Sequence, residues 1–300
     1  MRLPNFMCIG ASKSGTTTLY EILKKHSQVF LPSFKEPHFF DNHFIYKNGL
    51  DWYFNTYFKR VKDEKRIGDF TPSYLFEKES AKRIFCDLGQ DVKFIVILRN
   101  PVDRAYSLYL HSKRDQHETL SFKNALKMEK ERLNNARKQN DYLSELRLSY
   151  IEQGLYGRML EQYFKYFSKE NFLIIHFEDE LIKKRGDTIN RIFSFLELQN
   201  EQLNINIKSN TVSTARSVWL KKILKKKGIF RNLLKKIIPS LMLRQILINK
   251  IHKLNNKNFT PPFLSIEDKE KIFDKYFAAD VIRTENLLNR KMNWNKCNID

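Results

Sequence analysis

Three hundred residues with 42% hydrophobic and 13% aromatic side chains can bury a sizeable core, which excludes a disordered tail protein. Lys+Arg 54 against Asp+Glu 34 leaves a net charge of +20, pointing to polyanionic partners: nucleic acid, acidic polysaccharide, a membrane surface, or phosphorylated and sulfated small molecules. No apolar run reaches the ~18–20 residues of a bilayer span, and Cys8, Cys86 and Cys297 lack metal-ligand spacing and read as reduced thiols.

The chain opens on a short apolar run, Phe6-Met7-Cys8-Ile9, that ends in Gly10. A small-residue loop, Ala11-Ser12-Lys13-Ser14-Gly15, leads into a helical pattern at Thr16 with Leu19, Ile22 and Leu23 on one face. Strand, glycine loop and helix form a phosphate cradle, because loop and helix N-terminal N–H groups converge on an anion that the helix dipole also favours. Gly10 and Gly15 have the spacing of G-x-x-x-x-G-K-[ST]. Thr16, however, stands where a nucleotide triphosphatase has its lysine, and the cation sits inside the loop at Lys13. With this strand starting so near Met1, no signal peptide is expected and the protein reads as cytoplasmic.

Residues 28–31 read as a buried strand closed by Pro32, followed by Lys35-Glu36-Pro37-His38-Phe39-Phe40-Asp41. Pro37 keeps Glu36 extended. A carboxylate and an imidazole therefore stand on a loop at the strand edge where parallel sheets bind ligands; the alternative is a surface glutamate beside two core phenylalanines. Residues 44–62 are aromatic-rich at helical spacing, including Trp52, and suit packing or an acceptor wall. Residues 66–70 form a third strand running into Thr71-Pro72-Ser73-Tyr74, and residues 77–86 a helix.

The near-continuous apolar run of 92–98 fits a central parallel strand. It ends in Arg99-Asn100-Pro101-Val102-Asp103-Arg104-Ala105-Tyr106-Ser107. Arg99 at the strand tip and Ser107 on the following helix can hold a second phosphate. Residues 119–150 are a charged helical stretch, either a solvated pair or a lid. A helix over 151–168, a strand over 172–177 and a helix over 186–198 follow, with His176 reading as a core histidine rather than a ligand.

The pattern gives a three-layer α/β, P-loop-like domain with a central parallel sheet of about five strands flanked by helices, plus a helical C-terminal region. One domain spans 1–300, with 1–208 as nucleotide-binding core and 209–300 as helical lid or acceptor side. There Arg216 sits in a polar loop. The basic 218–254 region suits a membrane surface, a polyanion groove or a solvated helix pair. Residues 265–291 read as one amphipathic helix with a capping-box-like start at Ser265.

Taken together, Gly10 through Leu19 and Ile97 through Ser107 resemble the 5′-phosphosulfate loop and 3′-phosphate motif of sulfotransferases that use 3′-phosphoadenosine 5′-phosphosulfate (PAPS). The similarity is to the carbohydrate branch, the heparan sulfate O- and N-sulfotransferase type and its bacterial relatives. Lys35 through Asp41, Thr71 through Tyr74 and the terminal Met292-Asn293-Trp294 also match in order. The resemblance implies that Lys13 contacts the phosphosulfate and supports the leaving phosphate. It implies that Ser14, Gly15, Thr16 and Thr17 bind the 5′-phosphate, Arg99 and Ser107 the 3′-phosphate, and that Arg216 belongs to a basic lid. Glu36 matches the catalytic base. Lys35, His38, Trp52 and Tyr74 are the substrate-side candidates. PAPS is the expected donor and 3′-phosphoadenosine 5′-phosphate (PAP) the product, with no metal required. The expected partner is a carbohydrate or glycolipid, neutral or anionic, and not nucleic acid. Phe70 departs from the pattern, since relatives acting on heparan sulfate carry lysine before the Thr-Pro turn. A P-loop kinase or triphosphatase and a non-enzymatic polyanion binder are the rival readings.

Overall fold

The computed structural model describes residues 1–207, 213–215, 256–258 and 263–294, the two three-residue pieces as backbone only. Arg216 and the basic 218–254 region lie outside the described residues.

Five parallel strands form the central sheet: β1 (Phe6–Gly10), β2 (Val29–Phe30), β3 (Arg66–Phe70), β4 (Lys93–Leu98) and β5 (Phe172–His176), in the order β2-β3-β1-β4-β5. Strand period dictates the layering. In β1, Phe6 and Cys8 enter one apolar cluster and Met7 and Ile9 the other; in β4, Ile95 and Ile97 oppose Phe94, Val96 and Leu98. Every one of these side chains is fully buried. That explains why both strands read as unbroken apolar runs, and each such residue contributes about 1.5–3 kcal/mol by leaving water.

Helices cover both faces. Between β1 and β2 lies α1 (Thr16–Leu23), between β2 and β3 lie α2 (His43–Tyr46) and α3 (Gly49–Tyr53), and α4 (Ser80–Leu88) connects β3 to β4. After β4 come α5 (Pro101–Arg114), α6 (Phe122–Lys138), α7 (Tyr142–Leu148) and α8 (Tyr156–Tyr163), and after β5 comes α9 (Arg185–Phe195). The charged 119–150 stretch is thus a helix pair, α6 and α7. A small antiparallel pair, β6 (Ser213–Ala215) with β7 (Asn256–Asn258), was not foreseen in the sequence. Among the described residues no helix is long and apolar enough to cross a membrane.

The single helix expected over 265–291 is two, α10 (Ile266–Tyr276) and α11 (Ala278–Leu288). Ser265 caps the first as expected, its hydroxyl accepting the Asp268 N–H at 3.1 Å. The break falls at Phe277, which is 1% exposed and packs so tightly over Gly154 that a Cβ there would lie 2.7 Å from its ring. Turning the chain at Phe277 lets α11 lie along α8, where the buried Asp280 accepts the Gly157 and Arg158 N–H groups at 2.8 and 3.1 Å.

The sheet order places a switch point between β1 and β4. The chain leaves β1 toward β2 and β3 on one side, then crosses to β4 on the other. In an open parallel sheet the crevice beyond the strand C-termini at such a point is where ligands bind.

Candidate active site

The two anion motifs occupy that crevice because each follows one of the two flanking strands. The loop after β1 is pinned to β4, the Ala11 N–H donating to the Ile97 carbonyl at 2.8 Å. Gly15 then caps α1 with φ 81°, and no side chain caps the helix and no acidic residue lies in its first turn, which leaves its N-terminal N–H groups and dipole to an anion. Glycine is also required for space: a Cβ at Gly15 would lie 2.8 Å from Leu181 and 2.9 Å from the Phe177 ring.

Arg99, at the tip of β4, donates from Nη1 to the Lys13 carbonyl at 2.9 Å and stacks its guanidinium over Phe177, 4.9 Å from the ring centroid. Phe177 therefore seats both motifs, a role with no sequence signature. Asn100 caps α5 by accepting the Val102 N–H at 3.0 Å, and Pro101 fits the first turn. Six residues on, Ser107 reaches the same cleft, a cavity of about 770 Å³. Lys13, Gly15, Thr16, Thr17, Arg99 and Ser107 all line it. Two buried polar atoms at the cradle, Ser14 Oγ and Arg99 Nε, have no hydrogen-bond partner among the described residues. Buried polar groups are normally satisfied, so these two fit a phosphate-bearing ligand.

Across the cleft stand Lys35, Glu36 and His38. The Glu36 N–H donates to the Phe70 carbonyl at 3.1 Å, tying the loop to the end of β3. Lys35 Nζ donates to Glu36 Oε1 at 2.8 Å and to Thr16 Oγ1 at 3.2 Å, so one ammonium links the carboxylate to the cradle. His38 Nε2 lies 3.8 Å from Glu36 Oε2, while its Nδ1 is 2.9 Å from Asp41. Buried Asp41 also accepts hydrogen bonds from Ser73 and Tyr142. Lys13, Glu36 and His38 all adopt left-handed φ, 69°, 66° and 54°, so Glu36, expected to be extended before Pro37, is instead held in the left-handed region by the turn that ties it to β3. Such a conformation costs about 1–3 kcal/mol per residue and marks sites where geometry is held against preference.

The electrostatics follow from crowding. Burial would raise the Glu36 carboxyl, but Lys35, His38 and Lys13 overcome it and hold the group below its ordinary range. Burial lowers His38, yet Asp41 and Glu36 hold it above the usual imidazole value. Burial, with Arg114 and Arg147 adding repulsion, lowers the Lys13 ammonium to about 8.

Two expected substrate-side residues are placed elsewhere. Tyr74 is fully buried, its hydroxyl donating to Asp69 at 2.8 Å and accepting the Phe39 N–H at 3.2 Å. Trp52 packs against Phe39 and Tyr57 in the aromatic cluster. Neither lines the cleft. Phe70, where heparan-modifying relatives carry lysine, is buried against Phe6 and Tyr20, so the cation beside Glu36 comes from Lys35. His176 is a core residue, 4% exposed, bonded to the Met292 carbonyl at 2.9 Å and tilted against Trp294. His111, Arg147 and Arg185 also line the cleft and were not singled out in the sequence.

The family model of the sulfotransferase domain matches residues 3–254. The chain belongs to the sulfotransferase domain family. This sulfotransferase-family chain is 32% identical over 203 residues to human heparan sulfate glucosamine 3-O-sulfotransferase 6, which covers 66% of this chain and 53% of that protein. It is 40% identical over 109 residues to a membrane-associated sulfotransferase of Dictyostelium discoideum, covering 36% and 22% of the two chains. The chain spans about half the length of the heparan sulfate relative. The crystal structure of a sulfotransferase from Alicyclobacillus acidocaldarius superposes with a TM-score of 0.69 at 25% identity, covering 99% of this chain and all of that one. Family membership supports an enzyme using PAPS and releasing PAP, as the two anion motifs lead one to expect.

Proposed function

We propose that the protein is a PAPS-dependent sulfotransferase acting on a sugar hydroxyl. The observation that carries this reading is the convergence of both anion motifs and Glu36 on one cleft at the β1/β4 switch point. PAPS, when bound, supplies the sulfuryl group. Ser14, Gly15, Thr16 and Thr17 would hold its 5′-phosphate, and Arg99 and Ser107 its 3′-phosphate. Lys13 sets positive charge where the leaving phosphate gains negative charge, an electrostatic contribution made before the reaction starts. Glu36, ionised at neutral pH, takes the proton of the attacking hydroxyl. His38, braced by Asp41, orients that carboxylate, and Lys35 fixes its distance from the cradle. Positioning of acceptor and donor supplies much of the remaining acceleration.

The relatives' printed acceptor, heparan sulfate glucosamine, supports a carbohydrate acceptor for this chain. The packing of α11 along α8 supports one domain rather than two. An exposed free thiol at Cys86 suits a reducing, cytoplasmic compartment.

A kinase reading is disfavoured by Asp69, the one carboxylate on the central strands. Its oxygens are taken by Tyr53, Tyr74 and Thr71 hydroxyls at 2.6, 2.8 and 2.6 Å, leaving it buried and committed away from a metal. Calorimetry decides between them. PAP is expected to bind without magnesium and at least tenfold more tightly than ATP with or without the metal. Tighter binding of Mg-ATP would overturn the sulfotransferase reading.

A pH dependence follows from Lys13. Its charged form prevails below pH about 8, so kcat/KM for PAPS is expected to hold through neutrality and fall on an alkaline limb near that value. The limb should move to higher pH at saturating donor, because a bound anion stabilises the ammonium. Lys13→Arg, which stays protonated, should lower the plateau and remove the limb. An unchanged limb in that variant would assign the titration to another group.

A further inference from the structure

A second cavity, of about 600 Å³, is separated from the donor cleft by α7 and Asp41. Leu143, Leu146 and Arg147 of α7 line the donor cleft, whereas Tyr142 and Glu145, one helical turn apart, line the second cavity. Asp41 lines this cavity too, while His38 and Ser73, which it holds, line the cleft. Its Oδ2 meets His38 Nδ1 at 2.9 Å and accepts the Ser73 and Tyr142 hydroxyls. Its Oδ1, on a side chain with no exposed surface, has no partner among the described residues. A buried carboxylate oxygen in that position lacks a donor. The remaining charges of the cavity do not supply one. Arg137 is spent on Glu145 and Glu152, its Nε donating to Glu145 Oε1 at 2.6 Å and its Nη2 to Glu152 Oε2 at 2.5 Å. Arg83 turns to the Phe40 carbonyl at 2.8 Å and lies over the Tyr46 ring. Lys78 and Arg158 are exposed, where water and salt screen them. Glu77, half-buried on the same wall, forms no ion pair among the described residues. Burial, with Glu145 and Asp41 adding repulsion, holds its carboxyl above the ordinary range although Arg83 opposes. Repulsion of that sign means a local field that favours a cation.

We propose that this cavity binds a small organic ammonium ion, whose N–H groups are shared between Asp41 Oδ1 and the Glu77 carboxylate. A primary ammonium carries three donors and no acceptor, which suits two acceptor-only groups. Leu75, Phe76 and Met159 line the same cavity and offer a surface for the alkyl part. Among the described residues no group of His, Cys, Asp and Glu is arranged to hold a metal ion, so an organic cation fits this chemistry better than a divalent one. Occupancy reaches the catalytic side through one carboxylate. A cation on Asp41 Oδ1 competes for the charge that holds His38 through Oδ2, and so loosens the group beside Glu36. The site goes beyond the proposed function, and its test does not depend on sulfo transfer.

The test is calorimetry on the full chain at fixed ionic strength, with butylamine, 1-butanol and magnesium chloride as probes. Butylamine is expected to fill one site, at least about tenfold more tightly than either of the others, the worth of one charge-assisted hydrogen bond. Asp41→Asn and Glu77→Gln should each weaken it by about tenfold or more. Glu77 touches none of the donor motifs, so the glutamine variant carries the test alone if the asparagine variant does not fold. Glu36→Gln should leave butylamine affinity within about twofold, which separates this cavity from the carboxylate of the donor cleft. In nitrogen-labelled protein the His38 ring signals, identified by their loss in His38→Asn, should shift on saturation with butylamine and stay in place in Glu77→Gln. Butylamine binding no tighter than butanol, an affinity untouched by Glu77→Gln, a loss of affinity in Glu36→Gln, or His38 signals that do not move would each overturn the proposal. PAP binding measured on the same protein tests the sulfotransferase reading separately.

Discussion

Replacing Arg99 with alanine is expected to weaken PAP binding by about a hundredfold to a thousandfold, measured by calorimetry without metal. Each charge-assisted hydrogen bond to a phosphate is worth about 1.5–3 kcal/mol, and the guanidinium can make two. The side chain also braces the cradle through its bond to the Lys13 carbonyl and its stacking on Phe177. The substitution therefore removes the 3′-phosphate contact and loosens the 5′ loop at once. Arg99→Lys should recover little, because an ammonium cannot span both partners. A loss of less than tenfold in the alanine variant would remove Arg99 from the donor site.

Glu36→Gln is expected to act on a different parameter. PAP affinity should change by no more than a few-fold, while kcat for transfer of labelled sulfate from PAPS to a carbohydrate acceptor falls ~10²–10⁴, the usual worth of a positioned base. Glutamine keeps the shape and a hydrogen-bonding oxygen for Lys35 but cannot take a proton. Because Lys35, His38 and Lys13 hold the carboxyl below its ordinary range despite burial, the wild-type acid limb should lie well below neutrality. A glutamine variant with near wild-type kcat would assign the proton to another group, and His38→Ala would then be the informative next measurement.

The parts of this molecule that the sequence displays are those governed by local rules. The strands β1 and β4 are legible because strands buried on both faces are largely apolar throughout, and the loop from Gly10 to Thr16 because anion binding needs glycine at a left-handed position. Arg99 and Ser107 are legible through Pro101, which marks where the helix between them starts. Aromatic residues were less informative. Trp52 and Tyr74 suit a sugar-binding wall as well as a core; the Asp69 carboxylate draws Tyr74 inward, and stacking on Phe39 holds Trp52 in the aromatic cluster. The break at Phe277 has no glycine or proline to announce it; it arises from the close approach of its ring to Gly154. The His111–Arg147 pair brings together residues on separate helices, and only the packing of α7 against α5 makes it visible.

The far end of the described chain bears on the donor site from behind. Asn100 Nδ2 donates to the Trp294 carbonyl at 3.1 Å, Trp294 packs on Tyr156, and the Tyr156 hydroxyl donates to the Arg99 carbonyl at 2.9 Å. Arg99 is thereby held by residues from two distant parts of the sequence, and a change at Trp294, which belongs to neither anion motif, reaches the tip of β4 through Asn100 and Tyr156.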